Sequence, residues 1–125
     1  MTVLVCGSRT WTDRAIIAAA VAKLPRDTVI IHGGARGADT IAGQEANRRG
    51  LTVIVYPADW QRYGRSAGVQ RNAHMLTDGK PDRVLAFAVD LATARGTADM
   101  VRRALAAGLP CDIVEAISAA RTGAT

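Results

Sequence analysis

Apolar residues occur in five short, uninterrupted runs, each followed by loop-forming residues and then by a helical pattern. The runs cover residues 2–6, 28–32, 52–56, 83–88 and 110–114. Strands with both faces buried are typically continuous apolar stretches, whereas half-exposed strands alternate. Strands that alternate with helices indicate βαβ units. The pattern therefore predicts a parallel sheet with helices on both of its faces.

Four helical segments accompany these runs. The predicted helices cover residues 13–23, 38–49 and 67–76, and a fourth runs from Thr97 to residue 108. Thr12, Ser66 and Thr97 are the expected N-caps, because a side-chain oxygen at that position accepts from the first free amides of a helix. Many helices are followed by a residue in the left-handed conformation, which is usually glycine, and Gly50 stands just past the second predicted helix. A further short helix is expected from residue 115 onward.

These elements predict an α/β fold, specifically a Rossmann-like three-layer α/β/α sandwich with a five-stranded, mainly parallel sheet. The chain has 125 residues, close to the commonest size of one domain. We therefore expect a single domain over residues 1–125, with a core over about residues 1–114 and a short tail at 115–125.

The residues with candidate chemistry follow the predicted strands. In an open parallel sheet, ligands bind beyond the carboxyl ends of the strands, where the strand order reverses. Loops at that edge are polar or rich in glycine after four of the five strands. They are Gly7-Ser8-Arg9, residues 33–40, Asp59-Trp60 and Arg95-Gly96-Thr97. The sequence therefore predicts a ligand site at this edge.

The segment after the second strand carries the strongest signal. Gly33, Gly34 and Gly37 stand within five positions, together with Ala35 and Arg36. Glycines let main-chain amides approach an anion closely, and the following helix directs its positive dipole end to the same place. The spacing matches neither a Walker A loop nor GxGxxG. We expect a phosphate here; the alternative is a tight turn between strand and helix.

Four other polar residues at the same edge are ligand candidates. If the first strand is central, Ser8 can donate to phosphate and Arg9 can bind it through its guanidinium, although a solvated loop is the alternative. Gly96-Thr97 forms a second candidate anion or ribose site, with Thr97 as a plain helix cap in the alternative interpretation. Asp39 lies in a first helical turn, where it complements the helix dipole or accepts from ribose hydroxyls.

Aromatic residues are concentrated after the third strand. Trp60 and Tyr63 stand among arginines, and aromatic rings on a basic loop can stack on nucleobases. The alternative is that Trp60 packs the loop onto the sheet. The two histidines lack the spacing of a ligand set, so we expect no metal site and no cofactor.

The charge and composition of the chain indicate which partners and which compartment to expect. Sixteen basic residues against eleven acidic ones give a net charge of +5, which favours nucleotides, nucleic acid or phosphorylated small molecules. No apolar stretch is long enough to span a membrane, and no secretory signal is visible, so we expect a cytoplasmic protein. Cys6 and Cys111 are expected to be small buried hydrophobes. Alanine-rich helix faces favour a homodimer.

Taken together, the motifs resemble one known family. They are Val5-Cys6-Gly7-Ser8-Arg9, residues 32–39 (His-Gly-Gly-Ala-Arg-Gly-Ala-Asp), Trp60 with residues 63–68, Arg71-Asn72, Met75-Leu76 and residues 95–100. This ordered set resembles the YspA-like branch of the SLOG superfamily over about residues 1–114. The resemblance implies a Rossmann-like fold and a pocket for nucleotides or nucleotide-derived ligands, built from these loops.

Other branches of the superfamily suggest two more specific functions. The Lonely Guy phosphoribohydrolases are similar in having an arginine-containing helix and a Pro-Gly-Gly-x-Gly-Thr-x-x-Glu loop, whose Arg and Glu are catalytic. By this resemblance Arg71 matches the arginine and Gly96-Thr97 matches the Gly-Thr pair, but Met100 stands at the glutamate position. Asp99, one residue earlier, is then the candidate carboxylate, with Arg71 and Asp99 as the acting pair.

Three functions follow from these residues. We favour a sensor or processing module that binds a nucleotide or nucleotide-derived phosphorylated ligand through the glycine-rich loops. The first alternative is a hydrolase of N-glycosidic bonds, similar to the phosphoribohydrolases. The second is a single-stranded DNA-binding protein similar to DprA, which would use the positive charge and the stacking of Trp60 and Tyr63.

Overall fold

The computed structural model describes residues 1–116 and contains one five-stranded sheet flanked by helices. The strands are β1 (Thr2–Gly7), β2 (Val29–His32), β3 (Thr52–Val55), β4 (Arg83–Ala88) and β5 (Cys111–Glu115). The helices are α1 (Arg14–Ala22), α2 (Ala38–Arg48), α3 (Trp60–Tyr63), α4 (Ala67–Gly79) and α5 (Arg95–Ala106), with a 3-10 turn at Gly64–Ser66. The short helix expected from residue 115 falls on the end of β5 and on residues 117–125, which lie outside the described part.

All strand pairs are parallel, and the order across the sheet is β3-β2-β1-β4-β5. The register places Leu4 of β1 between Ile31 of β2 and Val84 of β4. The chain builds outward from β1 to β3 on one side and then returns to place β4 and β5 on the other. The strand order therefore reverses between β1 and β4, which is where sheets of this type bind ligands.

The sheet has a separate hydrophobic core on each face. Val3, Val5 and Phe87 point toward α1 and α2, whereas Leu4 and Val84 point toward α4 and α5. Consecutive residues of β1 are thus all buried, because side chains alternate between two covered faces. This arrangement confirms the predicted three-layer α/β/α sandwich, and its sheet is parallel throughout.

The edge strand β3 differs from the sequence prediction. Ile54 and Val55 are exposed, although the apolar run predicted a strand covered on both faces. The reason is its position, since β3 is the last strand on its side and α2 is the helix that packs closely against it, over one face. A continuous apolar run therefore does not require full burial at an edge.

Two of the predicted helix starts need correction. The side chain of Asp13, not Thr12, caps α1 by accepting from the amide of Ile16. The fourth predicted helix begins at Arg95 with Ala94 as its N-cap, so Thr97 lies inside the first turn and is buried. None of the helices within residues 1–116 is long and apolar enough to cross a membrane.

Candidate functional site

A cavity of about 450 Å³ opens at the carboxyl edge of the sheet, above the boundary between β1 and β4. Its walls come from the loops that follow β1 and β4, the start of α2, the first half of α4 and the first turn of α5. The lining includes Gly7, Ser8, Arg9, Ala35, Asp39, Arg71, Asn72, Asp90, Arg95, Gly96 and Thr97. The fold thus brings residues from four separated motifs of the sequence into one cavity.

Arg71 is held at the centre of this edge by main-chain carbonyl groups. Its Nη1 donates to the carbonyl of Gly33 at 2.8 Å and to that of Tyr56 at 3.4 Å, beyond the ends of β2 and β3. A Cβ atom at position 33 would overlap Nη1, so glycine here lets the guanidinium lie against the loop. Within residues 1–116, no carboxylate lies within ion-pair distance of Arg71. Its charge is therefore available to an anionic ligand.

Asn72 is a site residue that the sequence reasoning did not assign, although it stands beside Arg71 in the family motif. Its side chain is buried, and its Oδ1 accepts from Nε of Arg71 at 3.1 Å. Its Nδ2 donates to the carbonyl of Gly96 and to the carboxylate of Asp99. Asn72 thereby fixes the Arg71 guanidinium relative to the start of α5. Its position next to a candidate arginine was the only signal.

Three amides of the glycine-rich loop already have acceptors within the protein, so they are not open to a phosphate as the sequence predicted. Oδ2 of Asp39 accepts from the amides of Gly33 at 3.1 Å and Ala35 at 3.3 Å. The amide of Gly34 donates to Nδ1 of His32 at 2.9 Å. The carboxylate of Asp39 therefore takes the place that the sequence assigned to a phosphate, because this side chain folds back over the loop from the first turn of α2.

The third glycine of this loop is needed for a close approach of two loops. Gly37 has a φ of +75°, and a Cβ atom there would overlap the carbonyl oxygen of Ser8. That same oxygen accepts from the amide of Ala38 at 3.1 Å, which joins the start of α2 to the loop after β1. The role of Gly37 therefore fits the alternative to phosphate binding, in which the glycines form a tight turn between strand and helix.

Burial raises the pKa of the Asp39 carboxyl group to about 6. The amides of Ala35 and Gly33 and the charges of Arg71 and Arg9 oppose this rise without cancelling it. Asp39 lines the cavity, and only its Oδ2 is engaged by the loop. The other oxygen is thus left to accept a hydrogen bond from a ligand, as the sequence analysis proposed for a ribose hydroxyl.

The first turn of α5 supplies open main-chain donors on the opposite wall of the cavity. The first helical bond of α5 joins the amide of Ala98 to the carbonyl of Ala94. Gly96 and Thr97 precede that bond, and their amides have no acceptor among residues 1–116. Since both residues line the cavity, the positive end of the α5 dipole and two free amides face the same space.

The loop after β1 contributes one buried and one exposed side chain. The hydroxyl of Ser8 accepts from the amide of Val89 at 2.9 Å and so ties this loop to the end of β4. Its hydrogen remains available to a ligand, because an accepting hydroxyl can still donate. Arg9 is exposed and lines the cavity close to Asp39. The central position of β1, on which the prediction for both residues depended, is confirmed.

Asp99 does not reach the cavity, and its assignment as a catalytic carboxylate needs correction. Its oxygens accept from Asn72, from Arg102 at 2.9 Å and from Arg103 at 2.9 Å. It does not line the cavity that Arg71 enters. The physical reason is helix geometry, since residues three and four positions further along α5 share the face of Asp99, and that face is turned to α4. The carboxylate therefore fixes α5 to Asn72.

A second cavity, also of about 450 Å³, adjoins the first on the side of β2 and β3. Trp60 lines it, as do Gly33, Gly34 and Arg36, whereas Tyr63 lines neither cavity and instead stacks under the Arg62 guanidinium at 5.1 Å. The two aromatic candidates are thus separated. No group of three potential metal ligands is found within residues 1–116.

The fold and the cavities define a class of protein: a Rossmann-like α/β protein with a cavity at the point where the strand order reverses. Comparison with known proteins narrows this class. The family model for the YspA, cpYpsA-related SLOG family (YAcAr) matches residues 1–63. The "Gene 61 protein" of Mycobacterium phage D29 is 40% identical over 117 residues, which cover 86% of this chain and 91% of that protein. The chain belongs to this SLOG family, as its motifs indicated.

A solved structure supports the fold independently. The chain is similar to DNA processing protein A (DprA) from Streptococcus pneumoniae, with a TM-score of 0.51 and 17% sequence identity. The likeness covers 89% of this chain and 58% of the DprA chain, so the chain spans little more than half the length of that protein. At this identity the comparison shows that the fold is shared.

Proposed function

We propose that this protein binds a nucleotide or nucleotide-derived phosphorylated ligand in the cavity between β1 and β4, as a sensor or processing module. Family membership supports a function related to nucleotides or DNA in general. The observation that carries the more specific proposal is the pairing of two open amides at the start of α5 with the unpaired guanidinium of Arg71 in one cavity.

The phosphate is placed at the first turn of α5. There the amides of Gly96 and Thr97 donate to its oxygens, and the helix dipole favours its negative charge. Arg9, Arg71 and Arg95 line the same cavity and supply positive charge around it. Hydrogen bonds to a charged group contribute about 1.5–3 kcal/mol each, so three of them supply about half or more of the roughly 8 kcal/mol that micromolar binding requires.

The nucleoside extends from this phosphate into the rest of the cavity. Asp39 accepts from a ribose hydroxyl through its free oxygen, and Asp90 offers a second carboxylate in the same lining. Apolar side chains of Met75 and Val89 provide a wall for the base. A volume of about 450 Å³ lies within the usual range for small-molecule sites.

The two alternatives have less support. A phosphoribohydrolase-like reaction requires a carboxylate at the bond that breaks, and Asp99 is held away from the cavity by Asn72 and two arginines. Binding of single-stranded DNA is supported by the net charge and by the fold shared with DprA. Neither observation places a base or a phosphate on this chain, so we keep nucleotide binding as the proposal.

Calorimetric titration with nucleoside monophosphates tests the proposed function. We expect a monophosphate to bind about 10-fold or more tightly than the matching nucleoside, because the phosphate makes the charge-assisted hydrogen bonds. Inorganic phosphate serves as the control for a purely electrostatic effect and is expected to bind more weakly than the monophosphate. Equal binding of nucleoside and monophosphate, or no binding by either, would contradict the proposal.

The stability of the unliganded protein is expected to depend on the ionisation of Asp39. Its pKa is 3.8 in the unfolded chain and about 6 in the folded one. Between these values the folded state holds a proton that the unfolded state has released, so the free energy of unfolding decreases as the pH rises. A shift of this size corresponds to a decrease of about 3 kcal/mol, complete above about pH 7.

Urea unfolding of the wild type and of Asp39→Asn, at a series of pH values from about 4.5 to 7.5, measures this effect. The variant cannot ionise at position 39, yet its side-chain oxygen can still accept from the amides of Gly33 and Ala35. We expect the stability of the wild type relative to the variant to decrease with rising pH up to about pH 6 and to level off above it. Parallel pH profiles would show that Asp39 is ionised normally in the folded protein.

A further inference from the structure

The second cavity is not used by the proposed function, yet its walls have a definite chemical character. One side carries the guanidinium groups of Arg9, Arg36 and Arg71, and no carboxylate lines this cavity within residues 1–116. The other side is apolar and is formed by Val55, Pro57 and Trp60 among others. A ligand that fits both sides carries an anionic group and a planar or apolar ring.

Trp60 is held in an exposed position by local structure. It is the first residue of α3, and the preceding Asp59 caps that helix by accepting from the amide of Arg62. The Arg9 guanidinium lies 6.0 Å from the centre of its indole ring. Even so, 52% of Trp60 remains accessible to solvent, next to Val55 at 48%. Trp60 and Val55 thus form an exposed apolar wall beside the Arg9 guanidinium.

The two cavities are continuous along the edge of the sheet. Arg9, Ala35 and Arg71 line both of them, so the two guanidinium groups stand at the boundary. Arg71 is also the side chain that bonds to the carbonyls beyond the ends of β2 and β3. A ligand that leaves the first cavity toward β3 must therefore pass these two arginines.

The features follow one another in a fixed order, given by the order of the strands. The start of α5 follows β4 and offers amides to a first phosphate. Asp39 follows β2 and offers a carboxylate to a hydroxyl. Arg71 bridges the ends of β2 and β3 with Arg9 beside it, and Trp60 lies beyond β3. From β4 to β3, the edge of the sheet therefore offers an anion site, a hydroxyl acceptor, a second anion site and an aromatic ring.

We propose that the site accepts a 5′-phosphorylated dinucleotide that spans both cavities. Its terminal phosphate lies at Gly96 and Thr97 and its first ribose lies at Asp39. The internal phosphodiester lies against Arg9, with Arg71 between it and the terminal phosphate, and the second base stacks on Trp60. This proposal rests on the proposed function, because the first cavity must hold the first nucleotide. Beyond the proposed function, it specifies that the ligand has two nucleotides and that a phosphodiester joins them.

A mononucleotide and a dinucleotide of the same base separate the two proposals. With AMP and 5′-phosphorylated diadenylate (pApA) as probes, we expect pApA to bind about 10- to 100-fold more tightly, since stacking of one base on an aromatic side chain contributes about 1–3 kcal/mol. Trp60→Ala is expected to remove most of the advantage of pApA over AMP. Tyr63→Ala is the matched control, because Tyr63 lines neither cavity, and both affinities should remain unchanged.

Tryptophan fluorescence provides an independent measurement. The chain has two tryptophans, and Trp11 is 2% exposed within the core, so quenching by a ligand reports on Trp60. We expect pApA to quench the emission and AMP to leave it nearly unchanged. If both ligands bind equally and neither quenches, the second subsite is refuted while the proposed function stands. If neither ligand binds, both proposals fail.

Two further ligands test the length and the linkage. A 5′-phosphorylated oligoadenylate of twelve residues is expected to bind no more tightly than pApA, because the site holds one 5′-terminal phosphate and the two nucleosides that follow it. A continued rise of affinity with length would overturn the dinucleotide and favour a nucleic-acid strand. ADP-ribose, which has adjacent phosphates, is expected to bind more weakly than pApA. Tighter binding of ADP-ribose would overturn the proposed linkage.

Discussion

Replacing Arg71 by methionine is expected to weaken nucleotide binding by about 100-fold, which corresponds to the loss of about 2.7 kcal/mol in charge-assisted hydrogen bonds. Arg71 lines both cavities, and its Nη1 and Nε atoms are fixed by Gly33, Tyr56 and Asn72. Methionine keeps much of the apolar stem but removes the guanidinium. Calorimetric titration with AMP measures the change.

Two variants separate the position of the guanidinium from the net charge of the protein. Arg65→Met removes one exposed charge away from both cavities and is expected to change the affinity by less than about twofold at physiological salt. Gly33→Ala keeps Arg71 but adds a methyl group that overlaps its Nη1, so we expect a loss of about tenfold. Similar losses for Arg65→Met and Arg71→Met would contradict a specific contact.

Replacing Gly37 by alanine is expected to lower the free energy of unfolding by about 3 kcal/mol, near the upper end of the costs measured for overpacking. Position 37 has a φ of +75°, which strains an L-residue, and its new Cβ would overlap carbonyl oxygens of Ser8 and Arg9. Both atoms belong to backbone and cannot rotate away. Thermal unfolding should show a decrease in Tm of about 10 °C.

Gly68→Ala is the matched control for this stability prediction. Gly68 lies in α4, and a Cβ atom there meets nothing within 4 Å. Alanine is favoured over glycine inside a helix by about 1 kcal/mol, so the control should be neutral or slightly stabilising. If Gly37→Ala were as stable as the control, the two loops would not be packed as closely as the structure shows.

The fold was predictable because β1, β2 and β4 are buried on both faces and therefore consist of apolar residues without interruption. Glycines and polar residues after them then marked the carboxyl edge, which gave the general location of the site. The exposure of Ile54 and Val55 was not predictable in the same way. An edge strand and a central strand can have the same apolar pattern, and only the strand order distinguishes them.

Individual site residues were harder to assign, because their roles depend on contacts between distant segments. Asp39 and the loop residues Gly33 and Ala35 are neighbours in sequence, yet nothing in the pattern shows that the carboxylate folds back onto their amides. Asp99 resembled a catalytic residue by its position in a motif, but the partners that hold it lie on α4 and one turn further along α5. Spacing alone does not reveal which face of a helix is turned to the ligand.

The correction at the glycine-rich loop makes the second candidate anion site, at Gly96 and Thr97, the expected phosphate site. A protein carboxylate already accepts from the amides of Gly33 and Ala35, whereas the amides of Gly96 and Thr97 remain open. The central claim is therefore that a nucleotide phosphate binds at the start of α5. It differs from the expectation of a phosphate at residues 33–37 and can be tested at the amides of Gly96 and Thr97.

Amide chemical shifts recorded during a titration with AMP test this claim most directly, and a chain of 13.1 kDa is well suited to the measurement. The account predicts that the largest changes occur at Gly96 and Thr97, with smaller changes at Ser8 and Arg9. Changes confined to residues 33–36, or changes absent from the first turn of α5 when AMP is bound, would contradict it.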